Sequence, residues 1–177
     1  EEMDPAQDGA GGVPLRSEED LEALYEASRT GNYPLLRIYS GTRDLLKWGQ
    51  VSVRTINNAW AAIPLFWYNR LDGRSDRPLE EGIRENQGVI SWYAAQGIPV
   101  EVNEAHHWSL RGAPDSVAVA AFYLAAYNAK QAGVKDYVAQ VMLNNPPGTS
   151  GVMDMGKSLA ELELIDSLAC PDFRIHR

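Results

Sequence analysis

Gln96-Gly97-Ile98-Pro99-Val100-Glu101-Val102-Asn103-Glu104-Ala105-His106-His107-Trp108 carries the pattern that decides the fold. A glycine turn leads into a short apolar run, Pro99 to Val102, which closes in a cluster of amide, carboxylate and imidazole groups. Such a run, bounded by turn residues, reads as a short buried strand. Four further runs share this grammar: Leu35 to Tyr39, Ile63 to Tyr68, Tyr137 to Leu143 and Phe173 to Ile175. Helix-like stretches separate them, and that alternation predicts an α/β fold with a parallel sheet, either a β/α barrel or a doubly wound sheet. About five strands are too few to close eight, so the expectation is a partial (β/α)8 barrel of the TIM type.

The intervening stretches are amphipathic, as helices over a sheet must be. Ser17-Glu18-Glu19-Asp20 opens the first, because a serine hydroxyl and carboxylates satisfy free N–H groups at a helix start. Asp44 opens the second, and Pro78-Leu79-Glu80-Glu81 the third, with Leu79, Ile83, Ile90 and Tyr93 recurring on one face. Pro114-Asp115 starts the fourth, predicted to bury Val117, Ala121, Leu124 and Tyr127 or Asn128. The last, from about Asp154 to Leu168, is expected to turn Met155, Leu159, Leu162 and Ile165 inward, with Glu161 and Glu163 outward. Residues 1–13 are acidic and rich in Gly and Ala, and read as a flexible connector. Residues 14–177 read as one β/α barrel domain. The absence of an initiator Met and the stop just after a strand suggest a piece of a longer chain.

With 45% apolar and 23% charged residues, the chain is an ordinary globular sequence rather than a disordered one. Its net charge of −8, with only four lysines, argues against nucleic acid and against an anionic membrane surface. No run is apolar enough to span a membrane, and no leader is evident, so a cytoplasmic protein is expected. The lone Cys170 excludes a disulfide framework and is expected to be a buried structural thiol.

In parallel α/β folds, chemistry lies at the carboxyl ends of the strands. The strongest candidates are therefore Asn103, Glu104, His106 and His107. A histidine there can transfer protons, hydrogen-bond a substrate carboxylate, or ligate Zn or Fe together with Glu104 along an extended segment. Alternatively one histidine caps the loop and the other packs on Trp108. A second strand end supplies Asn69, Arg70, Asp72 and Arg74. Arg70 can clamp a carboxylate by a bidentate fork, while Asp72-Gly73 forms a turn with Arg74 pairing Asp76. Ser40-Gly41-Thr42-Arg43 can present N–H groups and Arg43 to an anion, or simply cap a helix. Asn144 and Asn145 precede Pro146-Pro147-Gly148 in a rigid loop that can wall a substrate. Gly151-Val152-Met153-Asp154-Met155-Gly156-Lys157-Ser158 has the letters of a phosphate-binding loop, but Asp154 among phosphates and the distance from a strand end argue against that role.

From about Tyr39 to His176 the sequence resembles the barrel portion of a group of bacterial cobalamin-dependent proteins, similar to glutamate mutase or methionine synthase, that also carry a corrinoid-binding module. The resemblance rests on Pro64 to Arg74, Gly97 to Leu110, Ala125 to Lys130 and Asn145 to Ser150. It implies a radical mutase acting on a small amino or carboxylic acid. Arg43 and Arg70 would then be carboxylate clamps, Asn69, Asn103 and Asn144 substrate contacts, and Glu104 with His106 or His107 contacts to the amino group or cofactor. A corrinoid methyltransferase and a non-catalytic barrel fragment are the alternatives. The corrinoid-ligating pattern Asp-x-His-x-x-Gly is absent from the 177 residues. Adenosylcobalamin or methylcobalamin would therefore be bound largely by a separate corrinoid-binding module or subunit.

Overall fold

Turn residues and short β-branched runs set the strands, and the helices are laid over them. The computed structural model describes residues 15–39, 44–143 and 149–177, with the side chain of His106 excepted. Arg43 and Asn144 lie outside the described residues. The elements are α1 (Glu18–Ser28), α2 (Leu45–Thr55), β1 (Ala61–Ile63), α3 (Leu79–Ala95), β2 (Val100–Val102), α4 (Ala105–Leu110), α5 (Asp115–Gln131), β3 (Asp136–Val138), α6 (Gly151–Asp166) and β4 (Arg174–His176).

The four strands form one parallel sheet in the order β1-β2-β3-β4, so each strand pairs with the next in sequence. Ala61 pairs with Val100, Val100 with Tyr137, and Tyr137 with Ile175. The run ending at Tyr39 joins β1 through a single parallel bridge to Ala62. The strands are shorter than the apolar runs. Pro64 to Tyr68 form the loop after β1 rather than its continuation, and β3 stops at Val138 instead of reaching Leu143.

Alternation along the strands separates two faces. Ala61, Ile63, Val100, Val102 and Tyr137 join Val89, Ile90, Tyr93, Phe122 and the alanines of α5 in the main core. The opposite face carries charge. Glu101 is buried there and accepts from Arg37 and from the Trp60 indole N–H at 2.7 Å, while Asp136 pairs with Arg174 and His176. The hydrogen bonds from Arg174, and then that from His176, hold the Asp136 carboxyl down at about 2. Leu21, Val51 and Ile56 form a smaller core under α1 and α2.

The α1 start follows the sequence expectation, with Ser17 and Asp20 closing a reciprocal capping box. Two helix faces do not. In α5 the buried face is Ala118, Ala121, Phe122, Ala125, Ala126 and Ala129, while Val117, Leu124 and Tyr127 are exposed. This helix is apolar nearly all round, so the period could not choose its face. Small side chains let it lie close between the sheet and its neighbouring helices.

In α6 the polarity is inverted. Asp154, Lys157, Ser158, Glu161 and Ile165 are buried, whereas Met155 and Leu159 are exposed. Lys157 explains this, since its ammonium lies 3.3 Å from Asp154 and 4.0 Å from Asp115 and donates to Ser109. Burial pushes the Glu161 carboxyl up to about 7 against the attraction of Lys157. Lys157 and Ser158 sit within a helix, so the phosphate-loop letters form no loop. Cys170, expected inside, is exposed. No helix among the described residues is long and apolar enough to cross a membrane.

Candidate functional site at the strand ends

Two loops meet at the carboxyl ends of β1 and β2. The first, residues 64–78, is tied down by its own polar groups. Asp72 accepts from the N–H groups of Tyr68 at 3.0 Å and Asn69 at 3.1 Å, and pairs with Arg74 at 2.8 Å. Desolvation raises the Asp72 carboxyl, but the N–H groups of Tyr68, Asn69 and Arg74 outweigh it and hold the group below the usual range. Arg74 therefore pairs with Asp72 rather than with Asp76. The buried Arg77 donates to the Tyr68 carbonyl at 3.0 Å and pairs with Glu85.

The product of these clamps is an unusual backbone at Tyr68, whose φ is +65°. A bulky residue in the left-handed region is held there at a cost, and such strain clusters at functional sites. The Tyr68 ring sits 6.3 Å from that of Tyr39 and 4.2 Å under the Arg74 guanidinium.

The second loop runs into α4 (Ala105–Leu110), so His106 and His107 stand on a helical turn rather than on the extended segment that metal ligation with Glu104 required. Glu104 precedes α4 and is almost fully buried. Its Oε1 accepts from the backbone N–H of Phe66 at 3.0 Å and from that of Leu65. Burial dominates its proton equilibrium and pushes it up to about 8. The N–H groups of Phe66 and Leu65, then the indoles of Trp108 and Trp67, pull the other way. Neither indole N–H completes a hydrogen bond among the described residues, and Oε2 has no partner there.

Aromatic rings wall this carboxyl. Trp67 lies 5.0 Å from Trp108 and 5.3 Å from His107, and His107 lies 6.0 Å from Tyr39. Burial and the neighbouring Tyr68 push the Tyr39 phenol far up, so it stays a neutral O–H, and it has no hydrogen-bond partner among the described residues. The side-chain oxygen of Asn103 is likewise buried and unpartnered.

Of the residues singled out in the sequence, Glu104 and His107 come together at this rim, and Asn103 precedes Glu104 in the chain with its side chain buried. Asn69 is buried inside its own loop, donating to the Phe66 carbonyl and accepting from Leu71 N–H, both at 2.8 Å. Arg70 is exposed and spends its Nε–H on the Asp76 carbonyl. Sequence reading passed over Tyr39 as a strand residue, although it closes an apolar run, and passed over Arg111, one helical turn beyond His107. Arg111 stands over the Trp67 ring at 4.5 Å.

Chemically, the site offers a protonated carboxylic acid near neutral pH, a neutral phenol, an imidazole, an amide and a guanidinium in aromatic surroundings. Among the described residues no group of three or more His, Cys, Asp or Glu side chains is placed to hold a metal ion. No family model, curated protein or solved structure matches the chain.

Proposed function

We propose that this rim is the substrate-binding mouth of a cobalamin-dependent mutase that rearranges a small amino or carboxylic acid by radical chemistry, and that the sheet is an arc of a (β/α)8 barrel. One observation carries the reading: Tyr39, Trp67, Tyr68, Glu104 and His107, from the bridge beside β1 and from the ends of β1 and β2, share one aromatic cluster around a buried carboxyl. The sequential strand order supports the arc, because right-handed crossovers then put every helix on one face, whereas a doubly wound sheet reverses its order at a switch point. On that reading the Arg37–Glu101 and Asp136–Arg174 pairs line the barrel interior.

Radical rearrangement needs a site that orients a small polar substrate and keeps solvent from reactive species. The rings of Tyr39, Trp67 and Trp108 exclude water. Asn103, His107 and the Tyr39 hydroxyl supply directional contacts to the substrate's amino and carboxyl groups. Glu104, protonated at neutral pH, holds the first loop against the second without adding a charge that would repel an acid. Adenosylcobalamin, when bound, supplies the radical that starts the reaction. Leu71 and Leu110 are exposed in the same two loops that carry half-buried Phe66 and Trp108, apolar surface of the kind a flat macrocycle would need. The cobalt's protein ligand would come from the corrinoid-binding module or subunit.

The test is to add adenosylcobalamin and a panel of small amino acids to the protein together with its corrinoid-binding module or subunit and record electron paramagnetic resonance spectra. A coupled organic-radical and Co(II) signal with one acid is the expected result. No signal with any acid overturns the mutase reading. Methyl transfer from methylcobalamin without a radical signal places the rim in a methyltransferase instead.

A further inference from the structure

We infer that Arg111 receives the carboxylate of the small acid bound at this rim, an assignment that rests on the small-acid reading above. Arginine suits the task because its planar fork offers two parallel N–H groups to a carboxylate. Among the described residues four arginines surround the site; two already hold carboxylates, and Arg70 has the Nε–H of its side-on edge taken up by a backbone carbonyl. Arg74 pairs with Asp72, Arg77 pairs with Glu85, and Arg70 donates to the Asp76 carbonyl.

Arg111 differs. Its guanidinium carbon lies 4.5 Å from the centroid of the buried Trp67 ring, which fixes the plane from one side. Its Nη1 donates to the His107 carbonyl at 3.1 Å, which fixes rotation within that plane. Among the described residues no carboxylate forms an ion pair with it, in a chain whose net charge is −8. The Nε and Nη2 edge is thus held ready and lacks a counter-charge.

The position matches a small acid. The stacking partner, Trp67, also borders His107 and Trp108, so the exposed Arg111, the imidazole and the second indole gather round one ring. A dianionic phosphate would call for further cationic or N–H donors, and the neighbouring groups are aromatic.

The experiment is isothermal titration of the protein with propionate, L-alanine and L-glutamate, with their amides and with inorganic phosphate, for the wild type, Arg111→Gln, Arg111→Lys and the control Arg84→Gln. The Arg111 Nε–H resonance is followed by NMR. The expected result is binding of at least one acid but not its amide, a shift of the Nε–H resonance, and a loss of about 10- to 100-fold in Arg111→Gln. Arg111→Lys should recover little of that loss, and Arg84→Gln should match the wild type. Wild-type affinity in Arg111→Gln overturns the role of Arg111 while leaving the small-acid reading standing. If no acid binds the wild type, the small-acid reading fails and takes this inference with it. Tighter binding of phosphate than of any acid overturns the carboxylate assignment.

Discussion

The side chain of Glu104, at the end of β2, accepts the backbone N–H of Phe66, in the loop after β1, at 3.0 Å. Two adjacent strand ends are thereby joined by a group that burial has brought to about 8. The same carboxyl stands among the rings of the aromatic cluster, so its protonation bears on how the loop after β1 is held.

Stability should fall as pH rises from about 4.5 to about 8. Across that window the folded chain keeps a proton on Glu104 that the unfolded chain, titrating near 4.5, has already released. Each such group steepens the loss by up to about 1.4 kcal/mol per pH unit, and the loss levels off once both states are ionised. Glu161 adds to the slope from about 4.5 to about 7. Urea denaturation at pH 5, 6, 7 and 8 measures it. Glu104→Gln should flatten the part between pH 7 and 8, where Glu161 is already the smaller contributor, and an unchanged slope there would show that Glu104 is ionised in the fold.

Glu101 and Arg37 form a pair on the polar sheet face, with Trp60 as a third partner. Breaking one side leaves the other without compensation, and a cost of about 3 to 5 kcal/mol is usual for a buried pair. Arg37 retains some exposure, which places Glu101→Ala toward the low end. The double replacement Arg37→Met with Glu101→Met should cost less than the sum of the two single changes. A double-mutant cycle by chemical denaturation checks this, and strict additivity would refute the coupling.

β2, β3 and β4 were legible because their apolar runs are bracketed by turn residues, as in Gly97 to Glu104, whereas the run from Ile63 to Tyr68 shares only Ile63 with β1 and the run ending at Tyr39 makes a single bridge. The capping box at Ser17 and the start of α3 were legible for the same local reason. What escaped was decided by neighbours. The face of α5 depends on how closely alanines let it approach the sheet, and that of α6 on Lys157 pairing with the buried Asp154 and reaching the half-exposed Asp115. Both are long-range facts absent from a helical period. Arg70 looked like the clamp because it follows a strand, but the loop's own hydrogen bonds consume it. Arg111 was hidden because its role depends on a ring 44 positions earlier in the chain.

Gly49 permits the close approach of α2 to α3. A Cβ at that position would lie 2.7 Å from the Tyr93 hydroxyl and 3.0 Å from its ring. Tyr93 is buried and its phenol is pushed up to about 12, chiefly by desolvation, so the ring has little room to retreat. Gly49→Ala should therefore destabilise by about 1 to 3 kcal/mol despite alanine's better helix propensity. Thermal unfolding measures the change. A stabilised variant would mean that the two helices can separate without loss.

Lys157 holds together a buried group that is otherwise acidic. Asp154, Asp115 and Glu161 face its ammonium from α5 and α6, with Ser109 on α4. Lys157→Met keeps the volume but removes the positive charge, so the carboxylates that ionise there lose the compensation it gave them. Protonation relieves the repulsion at low pH, and ionisation restores it as pH rises. The destabilisation should therefore grow with pH, reaching roughly 3 to 5 kcal/mol near pH 8, with a smaller value near pH 5. Adding Glu161→Gln to Lys157→Met should return part of the loss at pH 8 and little at pH 5. Denaturation curves at the two pH values decide the matter, because a loss independent of pH would mean that Lys157 contributes packing rather than charge.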